Sequence, residues 1–273
     1  MNAIILHPDY YTLHHHSQTL KGQLLKLQEQ HDDLVFHVCK GLQASYMLHF
    51  GELEYKAWDL FCQYSRIVRE IELVQAKINR EEPVNQKSIN RQLDIEFAEY
   101  TEKLKKQSEE IQSAIDYTQK TSLSIEETLE LKALYHELVK LTHPDLHPGA
   151  SQQLTHYFQQ IVKAFEAADL QVMQMLRLLV KEINPLETHT TTLSDDLKEE
   201  IKLLQMSISR LEASLQAVRD SFPYNQLNLL ENPAAIQTYK NELTEKIANY
   251  ALLVEKYKIK LKEIQSGTLW MIS

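Results

Sequence analysis

Apolar residues recur along much of this chain in alternating steps of three and four. The longest stripe runs Tyr46, Phe50, Leu53, Ala57, Leu60, Tyr64, Ile67, Ile71, Val74 and Ile78. That spacing keeps one helix face turned toward another helix. The segment "NREEPVNQKS" (79–88) interrupts it, with Pro83 as the breaker. A second stripe follows at Ile89, Leu93, Phe97, Tyr100 and Leu104 and fades toward Ile111 and Ile115. A short connection between two such helices predicts an antiparallel hairpin. Upstream, Leu20, Leu24 and Leu27 begin a helical pattern that weakens through Gly41 and Gly51, and residues 1–16 show no clear period.

The C-terminal part repeats the design. Ser194 is positioned to cap a helix, and Asp195 and Asp196 in its first turn complement the helix dipole. The stripe then reads Leu197, Ile201, Leu204, Ile208, Leu211, Leu215 and Val218. After Pro223 and Pro233, another runs Leu243, Ile247, Tyr250, Val254, Tyr257, Leu261 and Ile264, which predicts a second antiparallel coiled-coil hairpin. Pro185 and "THTTT" (188–192) read as the linker before it. No strand-like alternation of any length occurs, so the expected fold is all-α. The heptads could pair within or between chains, and the short Pro-containing loops favour hairpins within one chain.

Composition narrows the function classes. Gly (5) and Pro (7) are scarce in 273 residues, so few turns can be built and long helices are expected. A net charge of −9 argues against a protein that coats nucleic acid, which needs a basic surface to displace counterions. No uninterrupted apolar run reaches the length of a membrane span. The N-terminus lacks the basic-then-apolar layout of a signal peptide, so a cytoplasmic, reducing location is expected. Cys39 and Cys62 form neither a zinc pattern nor a disulfide framework and read as small buried hydrophobes.

Between the two hairpins lies a different pattern. Ser124 and Glu127 have capping-box spacing, which predicts a helix start. Its apolar face is Leu131, Leu134, Tyr135, Leu138 and Leu141, and the opposite face carries Lys132, His136 and Lys140. Pro144 forces the end of that helix, because a residue before proline avoids the α region. Pro148 and Gly149 extend the turn, and Ser151 is placed to cap a helix that buries Leu154, Phe158, Ile161, Ala164, Phe165 and Ala168. Asp169 is placed to cap a further helix that reaches Leu179.

A helix, the tripeptide His143-Pro144-Asp145 and a second amphipathic helix together resemble the J-domain of DnaJ-type co-chaperones. J-domains tend to carry Tyr eight residues before the His and Leu five before it, and Tyr135 and Leu138 stand there. Their following helix has a pattern like F-x-x-I-x-x-A-Y/F, matched by Phe158, Ile161, Ala164 and Phe165. A second His-Pro-Asp at residues 7–9 has no room for a preceding helix and reads as chance. The resemblance covers about residues 122–182. More loosely, the layout is similar to bacterial J-domain-like proteins with flanking coiled coils, and "FGELEYKAW" (50–58), "NREEPVNQ" (79–86) and "LDIEFAEY" (93–100) suit that comparison. The expected organisation is therefore an N-terminal coiled-coil hairpin (1–120), a J-domain-like segment (121–183) and a C-terminal antiparallel coiled-coil hairpin (190–266).

The resemblance implies a co-chaperone that docks on a DnaK-type chaperone and raises its rate of ATP hydrolysis. In that role Lys132, His136 and Lys140 present positive charge to an acidic surface. His143 and Asp145 contact polar groups near the chaperone's interdomain linker, and Pro144 keeps the loop rigid, lowering the ordering cost of binding. The coiled coils would recruit a client or another protein. The chain itself would perform no bond chemistry and need no cofactor. It departs from the family pattern in charge: residues 121–183 hold five Lys/Arg against eight Asp/Glu. Leu141 and Thr142 also stand where a basic residue and then an aromatic or apolar one are usual. The alternative is a structural or adaptor coiled-coil protein whose J-like hairpin is inactive.

Other candidate chemistry reads as structure. His14, His15 and His16, with His7, lack a carboxylate or cysteine at ligand spacing, so no metal site is expected. Glu126-Glu127 and Asp195-Asp196 occupy first turns as dipole complements. No phosphate loop, nucleophile elbow or metalloprotease helix is present. Tyr64, Phe97, Tyr100 and Tyr250 lie on heptad seams and read as core.

Overall fold

A computed structural model describes residues 8–119, 123–182 and 194–270, and among them the chain is helical, without a strand. The order is α1 (Pro8–Asp33), a π-helical turn (Leu34–Val38), α2 (Cys39–Tyr46), a second π turn (Met47–Gly51), α3 (Glu52–Asn79), α4 (Gln86–Glu96) and α5 (Ala98–Gln119). There follow α6 (Ile125–Thr142), α7 (Gln152–Glu166), α8 (Leu170–Glu182), α9 (Ser194–Asp220), a 3-10 turn (Tyr224–Gln226), α10 (Leu227–Leu230) and α11 (Pro233–Trp270). The expected linker at Pro185 and 188–192 lies outside the described residues. No helix among the described residues is long and apolar enough to cross a membrane.

Two features explain where the periodicity faded. A π turn inserts one residue into the helical repeat and shifts the phase of the apolar stripe. The turns at Leu34–Val38 and Met47–Gly51 do this where the pattern weakened. Helix α1 also begins at Pro8, inside the stretch without a period. From Tyr10 onward most of its early positions are exposed, including Tyr11, His14, His15 and His16, Leu13 is partly buried, and the first fully covered position is Ser17. Consecutive side chains on a helix diverge, so the three histidines cannot converge on one ion.

The chain divides into two compact units, each built from two separated stretches: Met1–Gly41 with Thr121–Asn225, and Leu42–Lys120 with Gln226–Ser273. The division expected from the sequence is 1–120, 121–183 and 190–266. In the second unit α3 pairs with α11, and the two run parallel. Phe50 meets Tyr239 (ring centroids 4.9 Å apart), Phe61 meets Tyr250 (5.5 Å) and Tyr64 meets Tyr257 (5.1 Å), so residue numbers rise together. Farther along, Val74 shares a core with Leu261 and Ile264. Glu54 accepts from both Tyr46 Oη (2.6 Å) and Tyr239 Oη (2.8 Å), a polar link that favours this register.

The expected α3–α4 turn-back does occur, as an addition to that pair. Ile89 and Leu93 of α4 bury against Val74, and Tyr100 of α5 stacks on Trp58 at 5.6 Å and 10°. Gly51 permits the close approach of α5, since a Cβ there would stand 2.8 Å from Ile111 Cγ1.

In the first unit α9 pairs with α1, again in parallel. Ser17 donates to Glu200 (3.1 Å), Lys21 pairs with the same carboxylate, and His31 meets Ser214 (3.0 Å). The stripe of α9 is thus covered by α1 within the first unit, and that of α11 by α3 within the second. A three-four stripe requires burial of a face but names neither the covering helix nor its direction. Leu131 and Leu138 of α6, Ile161 of α7 and Met173 of α8 share one core with Leu24 of α1 and Leu204 of α9.

Candidate docking site on the J-like hairpin

Helix α6 starts as its capping box requires. Ser124 Oγ accepts from the Glu127 N–H (3.1 Å), and the Glu127 carboxylate accepts from the Ser124 N–H (2.8 Å). It ends at His143, whose ψ of 127° is the extended conformation that Pro144 imposes. Ser151 caps α7 through the Leu154 N–H, and Asp169 caps α8 through the Val172 N–H. Gly149, with φ of 85°, supplies the left-handed residue in the loop between. Helices α6 and α7 are antiparallel: Tyr135 meets Phe165 at one end of the contact and His143 meets Phe158 at the other.

The landmark residues form the heart of this hairpin. Tyr135, Leu138, Ile161, Ala164 and Phe165 are all buried, and Phe158 is half-buried beneath the His143 ring at 5.0 Å. The tripeptide divides into an inner and an outer part. His143 is buried, and its Nδ1 accepts from the Asp145 N–H (3.1 Å), which fixes the neutral form with the proton on Nε2. Burial pushes its pKa down, against the attraction of Asp145 and Asp32, while His147 adds to the lowering. His147 Nε2 donates to the Lys140 carbonyl (2.8 Å), and its N–H reaches the carbonyls of His143 and Pro144, closing the turn. Pro144 and Asp145 are exposed on the outside of the loop.

The basic stripe is not uniformly available. Lys132 Nζ lies 2.9 Å from the Asp33 carboxylate, and His136 Nδ1 lies 2.5 Å from Glu29 Oε1. Between them the Tyr135 hydroxyl donates to Asp32. Thus α1 presents acids at 29, 32 and 33, and α6 answers with 136, 135 and 132, each an i, i+3, i+4 row. The His37 ring, 3.4 Å away, and then the hydrogen bond from Lys132 hold the Asp33 carboxyl below its ordinary value despite partial burial. Lys140, at the loop end of the same stripe, is exposed. So the structure brings Lys140, Pro144 and Asp145 together at one end and engages Lys132 and His136 with α1.

The α1 residues were not among the expected site residues. Their spacing is visible in "EQHDD" (29–33), but nothing in the sequence pairs it with a row about a hundred positions away. Asp32 is the most enclosed of the three, 3% exposed, and a carboxylate so placed needs donors. It accepts from Gln28 Nε2 (2.8 Å) and His31 Nδ1 (3.0 Å) as well as from Tyr135, and His31 Nε2 in turn meets Ser214 Oγ at 3.0 Å. Ser214, His31 and Asp32 stand in the order of an acyl-transfer relay. The cluster links α1, α9 and α6 through one enclosed carboxylate.

Cys39 and Cys62 are free and buried, and burial raises the pKa of both thiols. Among the described residues no group of three or more His, Cys, Asp or Glu side chains is placed to hold a metal ion. Comparison with protein-family models, curated proteins and solved structures finds no match to this chain.

Proposed function

We propose that this protein is a J-type co-chaperone that docks on the ATPase domain of a DnaK-type chaperone through the His143-Pro144-Asp145 loop and stimulates ATP hydrolysis. The observation that carries the reading is the loop itself. Two antiparallel helices packed through Tyr135, Leu138, Ile161, Ala164 and Phe165 hold Pro144 and Asp145 outward, with Lys140 exposed beside them. His143 acts as a positioning residue, because its bond to the Asp145 N–H orders the backbone that presents the Asp145 carboxylate. A loop ordered before docking loses less entropy on binding. Hydrolysis belongs to the chaperone, and the parallel helix pairs supply surfaces for a client or an assembly.

One observation favours a second reading, that of an adaptor with an inactive J-like hairpin. Lys132 and His136 are already engaged by α1, which leaves little positive charge for an acidic surface. ATP turnover by the chaperone separates the two readings. A co-chaperone raises it in a manner that depends on Asp145, and an adaptor leaves it at the basal rate.

A further inference from the structure

We infer that Glu29 and Asp33 of α1 set the affinity of this hairpin for its chaperone by competing for Lys132 and His136. The inference rests on the docking reading above and concerns the part of the docking face that α1 already contacts. The two rows match over their full length, Glu29 to His136, Asp32 to Tyr135 and Asp33 to Lys132, as in an antiparallel crossing of two helices. The middle contact is enclosed, while the outer two are partly exposed, with Lys132 and His136 side chains 45% and 52% accessible. The outer pairs can therefore exchange while the Asp32–Tyr135 bond keeps α1 in place.

Each α1 carboxylate acts against docking in two ways. It occupies a side chain, Lys132 or His136, that an acidic surface would otherwise take, and it stands as a like charge beside that surface. Exposed pairs of this kind are individually weak, so the brake is graded and sensitive to salt. Lys140 is left as the open contact, and Lys132 and His136 become available only against competition.

The test measures binding of the ATP-bound chaperone to the full chain at low ionic strength. The variants are Glu29→Gln/Asp33→Asn and a charge-matched control, Glu109→Gln/Glu110→Gln, on α5. The single variants Glu29→Gln and Asp33→Asn, each at a partly exposed pair, accompany them, and helix content by circular dichroism confirms folding. The expected result is about two- to thirtyfold tighter binding for the α1 double variant, from two pairs each in the range of exposed ion pairs. The control should bind as the wild type does, and the gain should shrink as salt is raised. Unchanged affinity, or an equal gain in the control, overturns the competition while leaving the docking reading intact. Absence of binding by every protein, wild type included, overturns the docking reading itself.

Discussion

The ring of Tyr135 lies flat on that of Phe165, centroids 4.0 Å apart and planes 18° from parallel, while its hydroxyl donates to the enclosed carboxylate of Asp32. One side chain thus closes the hairpin core on its face and anchors α1 at its tip. Tyr135→Phe keeps the stack but leaves Asp32 short of a donor, and the loss should be about 1–3 kcal/mol. Tyr135→Ala removes the stack as well and should cost about 3–5 kcal/mol, as for other large-to-small changes in a core. Urea unfolding of the two variants checks the order. No loss in Tyr135→Phe would show that the hydroxyl contributes nothing, and equal losses would show that the stacked ring contributes nothing.

The buried, neutral His143 gives the hairpin a signed dependence on pH. Its folded-state pKa lies below the ordinary 6.5, so at intermediate pH the unfolded chain binds the extra proton. The stability it contributes is complete above 6.5 and is lost as pH falls from there through the folded value. Denaturant unfolding at several pH values between 7.5 and 5 should therefore show wild type losing more stability than His143→Gln. Parallel curves for the two proteins would contradict the buried neutral ring.

Parallel pairing of α3 with α11 is open to a direct chemical check. With Cys39 and Cys62 changed to Ser, the variant Tyr64→Cys/Tyr257→Cys places two thiols where the rings now lie 5.1 Å apart. A short thiol cross-linker should join them within one chain in high yield. Links formed only between chains would show that these helices pair across molecules instead.

The extent to which the chain could be read from its residues differs between local and distant features. Capping at Ser124 and Ser151 and the break at Pro144 follow from interactions within a few residues, and the structure shows each. Of the expected buried row on α7, Leu154, Ile161, Ala164 and Phe165 are buried, while Phe158 is half-buried and Ala168 lies past the helix end, partly exposed. Helix partners do not follow in this way. The stripes of α3, α9 and α11 are interchangeable as apolar seams. What separates them are long-range contacts such as Glu54 with Tyr239, or His31 with Ser214, which the sequence cannot align. The π turns were hidden because a phase shift looks like a weakened pattern. The acidic row on α1 was visible as spacing, and only the fold showed that it faces Lys132 and His136.

The proposed docking of the outward loop on a chaperone is read in ATP turnover by a DnaK-type chaperone. With the full chain added, turnover should rise above the chaperone's own basal rate. Asp145→Asn, which changes one exposed carboxylate and leaves the packing of Tyr135, Leu138 and Phe165 untouched, should return the rate to basal. Turnover that stays basal with the wild-type chain, or that rises equally with Asp145→Asn, would contradict the account.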